Sequence, residues 1–324
     1  MSFVRTVLGD VAPDKLGRVN YHEHLFQVTP LLPGDELDDE VLSQKEAALM
    51  AASGFEAYID ATPCGLGRRP SSLARISAAT GLGIVMTTGL HNRAHYRDDD
   101  PLVRSSVDEL SARFLKDLTD GAEESPACDR TPTPQLPPEG APVRAGIIKI
   151  GLGYWSIDTF TGGAIEAAGQ AHGRTGAPIM VHLEHGSATH EVLDRLDAVG
   201  IASDRVILAH VDRNPDPGLH LELAARGAYL GYDGPARHRE WPDSVLIDCM
   251  AAVATRGGER RLLLGGDVAR RSRYVAYGGL PGLAYLGDRF VPRLAEMIGR
   301  DALERILRQN PAALLTWGQV SKRC

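Results

Sequence analysis

The sequence is short of several things, and each shortage narrows what the protein can be. It has four cysteines, Cys64, Cys128, Cys249 and Cys324, which stand far apart and form no CxxC or CxxH pair. A cysteine-rich zinc module is thereby excluded. A chain of 324 residues has ample material for a core and no need of a disulfide framework, so a reducing, cytoplasmic setting is expected. No stretch approaches the roughly 18 apolar residues of a membrane span. The N-terminal "MSFVRTVLGDV" lacks the apolar run of a signal peptide. There is no basic excess either: 35 Lys and Arg against 42 Asp and Glu leave a net charge of −7. That balance argues against a nucleic-acid or anionic-membrane partner, since both need basic faces. No GxGxxG follows the first strand, which weakens the case for an open dinucleotide-binding sheet.

What the chain does contain is a repeating alternation. Eight short β-rich runs recur: 18–22, 57–62, 83–89, 145–151, 178–182, 205–210, 228–233 and 261–267. Between them lie helical patterns such as "LDDEVLSQKEAALMAAS" and "SVDELSARFLKDLTD". Strand–helix alternation implies parallel strands joined by crossovers, and eight units of this kind predict a (β/α)8 TIM barrel, one domain spanning 1–324. The Pro-rich, acidic stretch "GAEESPACDRTPTPQLPPEGAP" (121–142) interrupts the alternation and reads as a surface insertion before strand four.

In such a barrel the functional groups gather at the C-terminal ends of the strands. Strand one ends in "HEH", with His22 and His24 predicted to share a side while Glu23 points away, because strand side chains alternate. Strand four carries Lys149, strand five ends in His182, strand six in His210 and strand eight in Asp267. Four imidazoles and a carboxylate from four strand ends form a constellation for a divalent metal. Zinc is the default for such a set, and manganese or cobalt would fit. Lys149, inside the apolar "AGIIKIG", has three readings: a salt-bridged core lysine, a Schiff-base lysine, or a carbamate formed with carbon dioxide.

The ordered set "HEH", "IIKIG", "VHLEHG", "LAHVDRN" and "LGGD", with the closing "ILRQNPAALL", resembles the phosphotriesterase family of the amidohydrolase superfamily over almost the whole chain. The resemblance implies two divalent ions. His22, His24 and Asp267 would hold one, His182 and His210 the other, and carbamylated Lys149 would bridge them with a hydroxide. Paired ions of this kind lower the pKa of a shared water and polarise a carbonyl or phosphoryl oxygen. Asp267 would then shuttle the proton to the leaving group. His91 falls where the family often places an aromatic rim residue. Asp212 and Arg213 are expected behind His210, orienting it.

The loop after Asp267, "GGDVARRSRYVAYGG", holds three arginines and two tyrosines. The last βα loops of a barrel often bind anions, and this stretch looks like that of family members acting on phosphorylated sugar lactones. Arg271 and Tyr274 are the expected phosphate contacts. The predicted activity is hydrolysis of a lactone of that type, a small-molecule substrate handled by a chain that could pair as a homodimer. The alternatives are a phosphotriesterase or amidase using the same centre, or a metal-bound barrel that only binds.

Overall fold

The computed structural model describes residues 2–124 and 142–317. The Pro-rich stretch thus lies, from 125 to 141, outside the described residues, as do Cys128 and Cys324. Cys64 and Cys249 are buried free thiols.

A small antiparallel sheet of β1 (Phe3–Thr6), β2 (Gly9–Val11) and β11 (Thr316–Trp317) stands apart from the main one. The main sheet has eight strands: β3 (Val19–Glu23), β4 (Ala57–Asp60), β5 (Gly83–Leu90), β6 (Ile147–Gly151), β7 (Ile179–His182), β8 (Val206–Ala209), β9 (Tyr229–Tyr232) and β10 (Leu262–Leu264). Every neighbouring pair is parallel. The crossovers run through α1 (Glu40–Ala52), α2 (Pro70–Thr80), α3 (Pro101–Arg104), α4 (Val107–Thr119), α5 (Thr159–Thr175), α6 (Thr189–Ala198), α7 (Pro217–Ala225) and α8 (Asp243–Val253). After β10 come α9 (Val291–Ile298), α10 (Arg300–Glu304) and α11 (Asn310–Leu315). Local chemistry sets several boundaries. Ser106 and Glu109 form a reciprocal capping box at the start of α4, satisfying two otherwise unpaired amides. Asp158 caps α5, which ends at a left-handed Gly176.

The fold is a (β/α)8 barrel, as the alternation predicted. Its closure is visible where the Asp267 N–H donates to the His22 carbonyl at 2.9 Å. Two glycines permit that approach. A Cβ on Gly265 would lie 2.9 Å from the Tyr21 ring, and one on Gly266 would lie 2.2 Å from the Glu23 carboxylate. Alternation along the strands fills the interior with Val19, Tyr21, Ile59, Ile147, Met180, Ile207 and Leu263. Their neighbours, such as Ile148, Ile150, Val181 and Leu208, face the helices. Lys149 falls on the inward set, two residues after Ile147.

Strand β3 departs from the simple rule. Val19 and Tyr21 point inward, so strict alternation would send His22 outward. The pairing register with β4 shifts between Asn20 and Glu23, and such an irregularity re-aims side chains. His22 thereby joins His24 at the mouth. Glu23 does turn away from it: its carboxylate accepts from Asn20 Nδ2 at 2.9 Å and from the Val268 N–H at 3.0 Å, pinning β3 to the loop after β10. Burial pushes this carboxyl up to about 8.

Candidate metal centre

His22 Nε2 and His24 Nε2 each lie 3.6 Å from Asp267 Oδ1. That is too long for a hydrogen bond, but it is about the separation of two atoms bonded to one ion at roughly 2.0–2.2 Å. His22 Nε2 is buried and has no partner among the described residues, an orphan that an ion would satisfy.

The far nitrogens of these rings are tied down. His22 Nδ1 faces Asp233 Oδ2 at 3.0 Å, and His210 Nδ1 faces Asp233 Oδ1 at 2.6 Å. Asp233 also accepts from the Tyr21 hydroxyl and, at 3.2 Å, from the His210 N–H. With Nδ1 donating, Nε2 of both rings presents a lone pair to the mouth. His24 reaches the same state by another route. The Thr62 hydroxyl donates to the Phe26 carbonyl at 2.7 Å, so at His24 Nδ1, also 2.7 Å away, it can only accept. His24 Nε2 is therefore the free acceptor. Burial holds His24 and His210 down to about 3, and keeps His182 and His91 well below the usual imidazole range. Neutral imidazoles are the form that binds metal.

His210 Nε2 and His182 Nδ1 converge to 2.8 Å. Of two groupings of ligand atoms, His22 with His24 and Asp267 is open to an ion, whereas His22 with His210 and Asp233 is already closed by the hydrogen bonds from both Nδ1 atoms. Lys149 is 1% exposed, and its Nζ donates to the Ala61 carbonyl at 2.8 Å. Burial pulls its amine down to about 8. Its charge bears on His24, His91 and His182, so it stands close to the cluster.

Other residues sit differently from their sequence expectations. Neither Asp212 nor Arg213 hydrogen-bonds the His210 ring; Asp233 does. Asp212 Oδ2 instead accepts the N–H groups of Asp233 and Gly234 at 2.9 and 2.7 Å, while Arg213 lies 3.4 Å from Asp267 Oδ2. Tyr274 is fully buried with its hydroxyl on the His24 carbonyl, so it faces no substrate. Arg271 points to Asp38 at 3.9 Å and lies 5.2 Å from the centre of the Tyr277 ring. A cavity of about 500 Å³ is lined instead by Arg237, Arg239, Arg270 and Arg273, four guanidiniums against the one carboxylate of Glu240. Arg237 also bonds the carboxylate and the backbone carbonyl of Asp267. His185, three residues past His182, is mostly exposed and faces Glu184. His91 stacks between His182 and His95, with ring centroids 4.3 and 3.6 Å away. Its Nδ1 accepts the Asn92 N–H at 2.8 Å, which leaves the proton on Nε2.

Asp233 and Arg237 escaped the sequence reading. Asp233 had a signal, since the seventh strand, "AYLGYD", ends in it as the others end in their histidines. Arg237 had none, being one of seven arginines in the run from 237 to 271 that no periodicity separates.

A model of the phosphotriesterase family matches residues 2–315. The chain belongs to that family. It is 28% identical over 340 residues to a phospho-furanose lactonase of Mycoplasmopsis synoviae, spanning 98% of this chain and 92% of that one. A zebrafish (Danio rerio) N-acetyltaurine hydrolase is 26% identical, covering 97% of this chain and 98% of its own length. The crystal structure of a lactonase from Listeria monocytogenes superposes with a TM-score of 0.87 at 30% identity, covering 98% of this chain and all of that one. The protein is a metal-dependent hydrolase of the lactonase and phosphotriesterase-like kind, acting on a small molecule. Among the described residues no helix is long and apolar enough to cross a membrane.

Proposed function

We propose that the protein opens the ring of a phosphorylated sugar lactone at a binuclear metal centre. The observation that carries this reading is the junction of two features. The histidine–aspartate cluster and the arginine-lined cavity share one contact, Arg237 on Asp267. The relative named a phospho-furanose lactonase supports the same substrate class.

His22, His24 and Asp267 would hold one ion, and His182 and His210 the other. Lys149, as its carbamate with carbon dioxide, would bridge them. Zinc suits this donor set best, with manganese or cobalt as substitutes. Bound there, the ions would acidify a water and polarise the scissile carbonyl. The protein's own groups do the rest. Asp267 would take the proton of the attacking water and return it to the leaving ring oxygen. Arg270 and Arg273 grip the phosphate, for which the planar guanidinium fork is suited. His91, neutral with its proton on Nε2, offers a donor at the rim of the centre.

The test is a panel of lactones, phosphotriesters and N-acyl amides assayed with a pH indicator, before and after chelation. Phosphorylated lactones should be the best substrates, and chelation should abolish their hydrolysis. Undiminished lactonase activity in metal-free protein would sink the metal reading. Preference for an amide or phosphotriester would replace the substrate.

A further inference from the structure

We infer that Arg237 couples the two halves of the site, so that an oxyanion in the arginine-lined cavity tightens metal binding at Asp267. The inference rests on the proposed function above and adds a regulation of that site by its own substrate's anion.

Arg237 is the residue common to both halves. It lines the cavity with Arg270 and Arg273, and one of its terminal nitrogens donates to both the carboxylate and the carbonyl of Asp267. Its Nε is buried without a partner among the described residues. A guanidinium has five donors in a rigid fork, so most of its capacity is unspent. The aim of the side chain is fixed from behind. Ala236 is held in a left-handed conformation, φ 64°, unusual for a residue with a side chain. Its N–H donates to Asp243 Oδ1 at 3.0 Å. Asp243 is itself buried and accepts from the Tyr285 hydroxyl at 2.7 Å and from His238 at 3.2 Å. The other member of the pair, Asp267, is also left-handed, at φ 43°.

The charge balance gives the sign. Asp267 Oδ1 faces His22 and His24, while Oδ2 faces Arg237 and Arg213. Two guanidiniums on this carboxylate draw off negative charge that a metal ion needs, and they repel the ion. Arg273 crowds the same region: burial and the neighbouring Arg237 charge both pull it below the usual arginine range. An oxyanion taking the free donors of Arg237 offsets this excess charge and returns Asp267 to the ion. Linkage makes the effect reciprocal, so the metal tightens the anion by the same factor. A substrate without phosphate would then lose turnover as well as affinity, because it leaves the centre less well formed.

The experiment measures zinc affinity of the full-length protein by competition with a chromophoric chelator, with and without inorganic phosphate. Phosphate should tighten zinc by about 5–150-fold, the usual range of such couplings. Arg273→Met should need more phosphate but reach a similar factor. In Arg237→Met zinc affinity should respond to phosphate by less than about twofold. Arg237→Lys, which keeps the charge but loses the fork, should fall between and serves if the methionine variant does not fold by circular dichroism. An equal factor in wild type and both Arg237 variants would mean that phosphate acts on the metals directly, and the inference would be overturned. If phosphate binds and Arg273→Met weakens it, yet zinc affinity never responds, the anion cavity stands and the coupling falls. If phosphate does not bind at all, both fall.

Discussion

Around the metal centre each of three imidazoles has its far nitrogen tied to a neighbour: His22 and His210 to Asp233, His24 to Thr62. Around the arginine-lined cavity the side chains hang from loops, and Arg239 and Arg270 are exposed. The first region gathers at strand ends under a second layer of hydrogen bonds, with left-handed backbone at His210 and Asp267, while the second hangs on loops with left-handed turns at Ala236 and Ala269. Strand positions constrain a side chain to one of two faces. A loop residue can aim anywhere its neighbours permit. The difference predicts where substitutions should abolish function, where they should grade it, and where they should do nothing.

The largest effect should come from Lys149. Lys149→Met should lose both metal and turnover, with partial rescue by a short carboxylic acid, read by elemental analysis and the lactone assay. Full metal content in that variant would remove the carbamate from the account. Asp267→Asn should lower turnover by about 10²–10⁴-fold, the scale of general acid–base catalysis, and near-normal turnover in the folded variant would place the proton elsewhere. Asp233→Asn tests the second layer, since it leaves every proposed ligand in place. Metal affinity should fall by about 10–100-fold, measured by chelator competition, and an unchanged affinity would make Asp233 a packing residue only.

On the loop side the effects should be smaller and depend on substrate. Arg270→Met or Arg273→Met should cost roughly ten- to hundred-fold in kcat/KM with a phosphorylated lactone, the worth of a charge-assisted hydrogen bond. Neither should matter with the neutral analogue, and equal losses on both would reduce these arginines to loop supports. Smallest of all is Arg271→Met. Its contacts are a loose exposed pair with Asp38 and the Tyr277 ring, and exposed ion pairs are worth about 0–1 kcal/mol. A change beyond about fivefold in either assay would return Arg271 to the substrate.

The sequence reading reached as far as backbone periodicity carries. All eight barrel strands follow from it, because the alternation of β-branched runs with helical stretches leaves little choice. His22 was expected at the mouth for a reason that does not hold, since Tyr21 takes the inward place and a register shift restores His22. The first and last strands of the chain, β1 and β11, gave no signal: two to four residues are too few to show a period. Which arginine of the loop lines the cavity was not legible, because Arg271–Arg273 coil into a single 3-10 turn. That turn sends Arg271 and Arg273 to different sides and buries Tyr274 behind them.

The central claim is that the strand-end cluster is a two-ion centre. The most direct measurement is the zinc content of the dialysed protein by plasma mass spectrometry, per chain, in wild type and in a variant with His22, His24 and Asp267 replaced together. The account predicts about two ions per wild-type chain, as in paired-ion hydrolases, and loss of at least one in the variant. A wild-type chain that binds one ion or none, or a variant that keeps both, would contradict it.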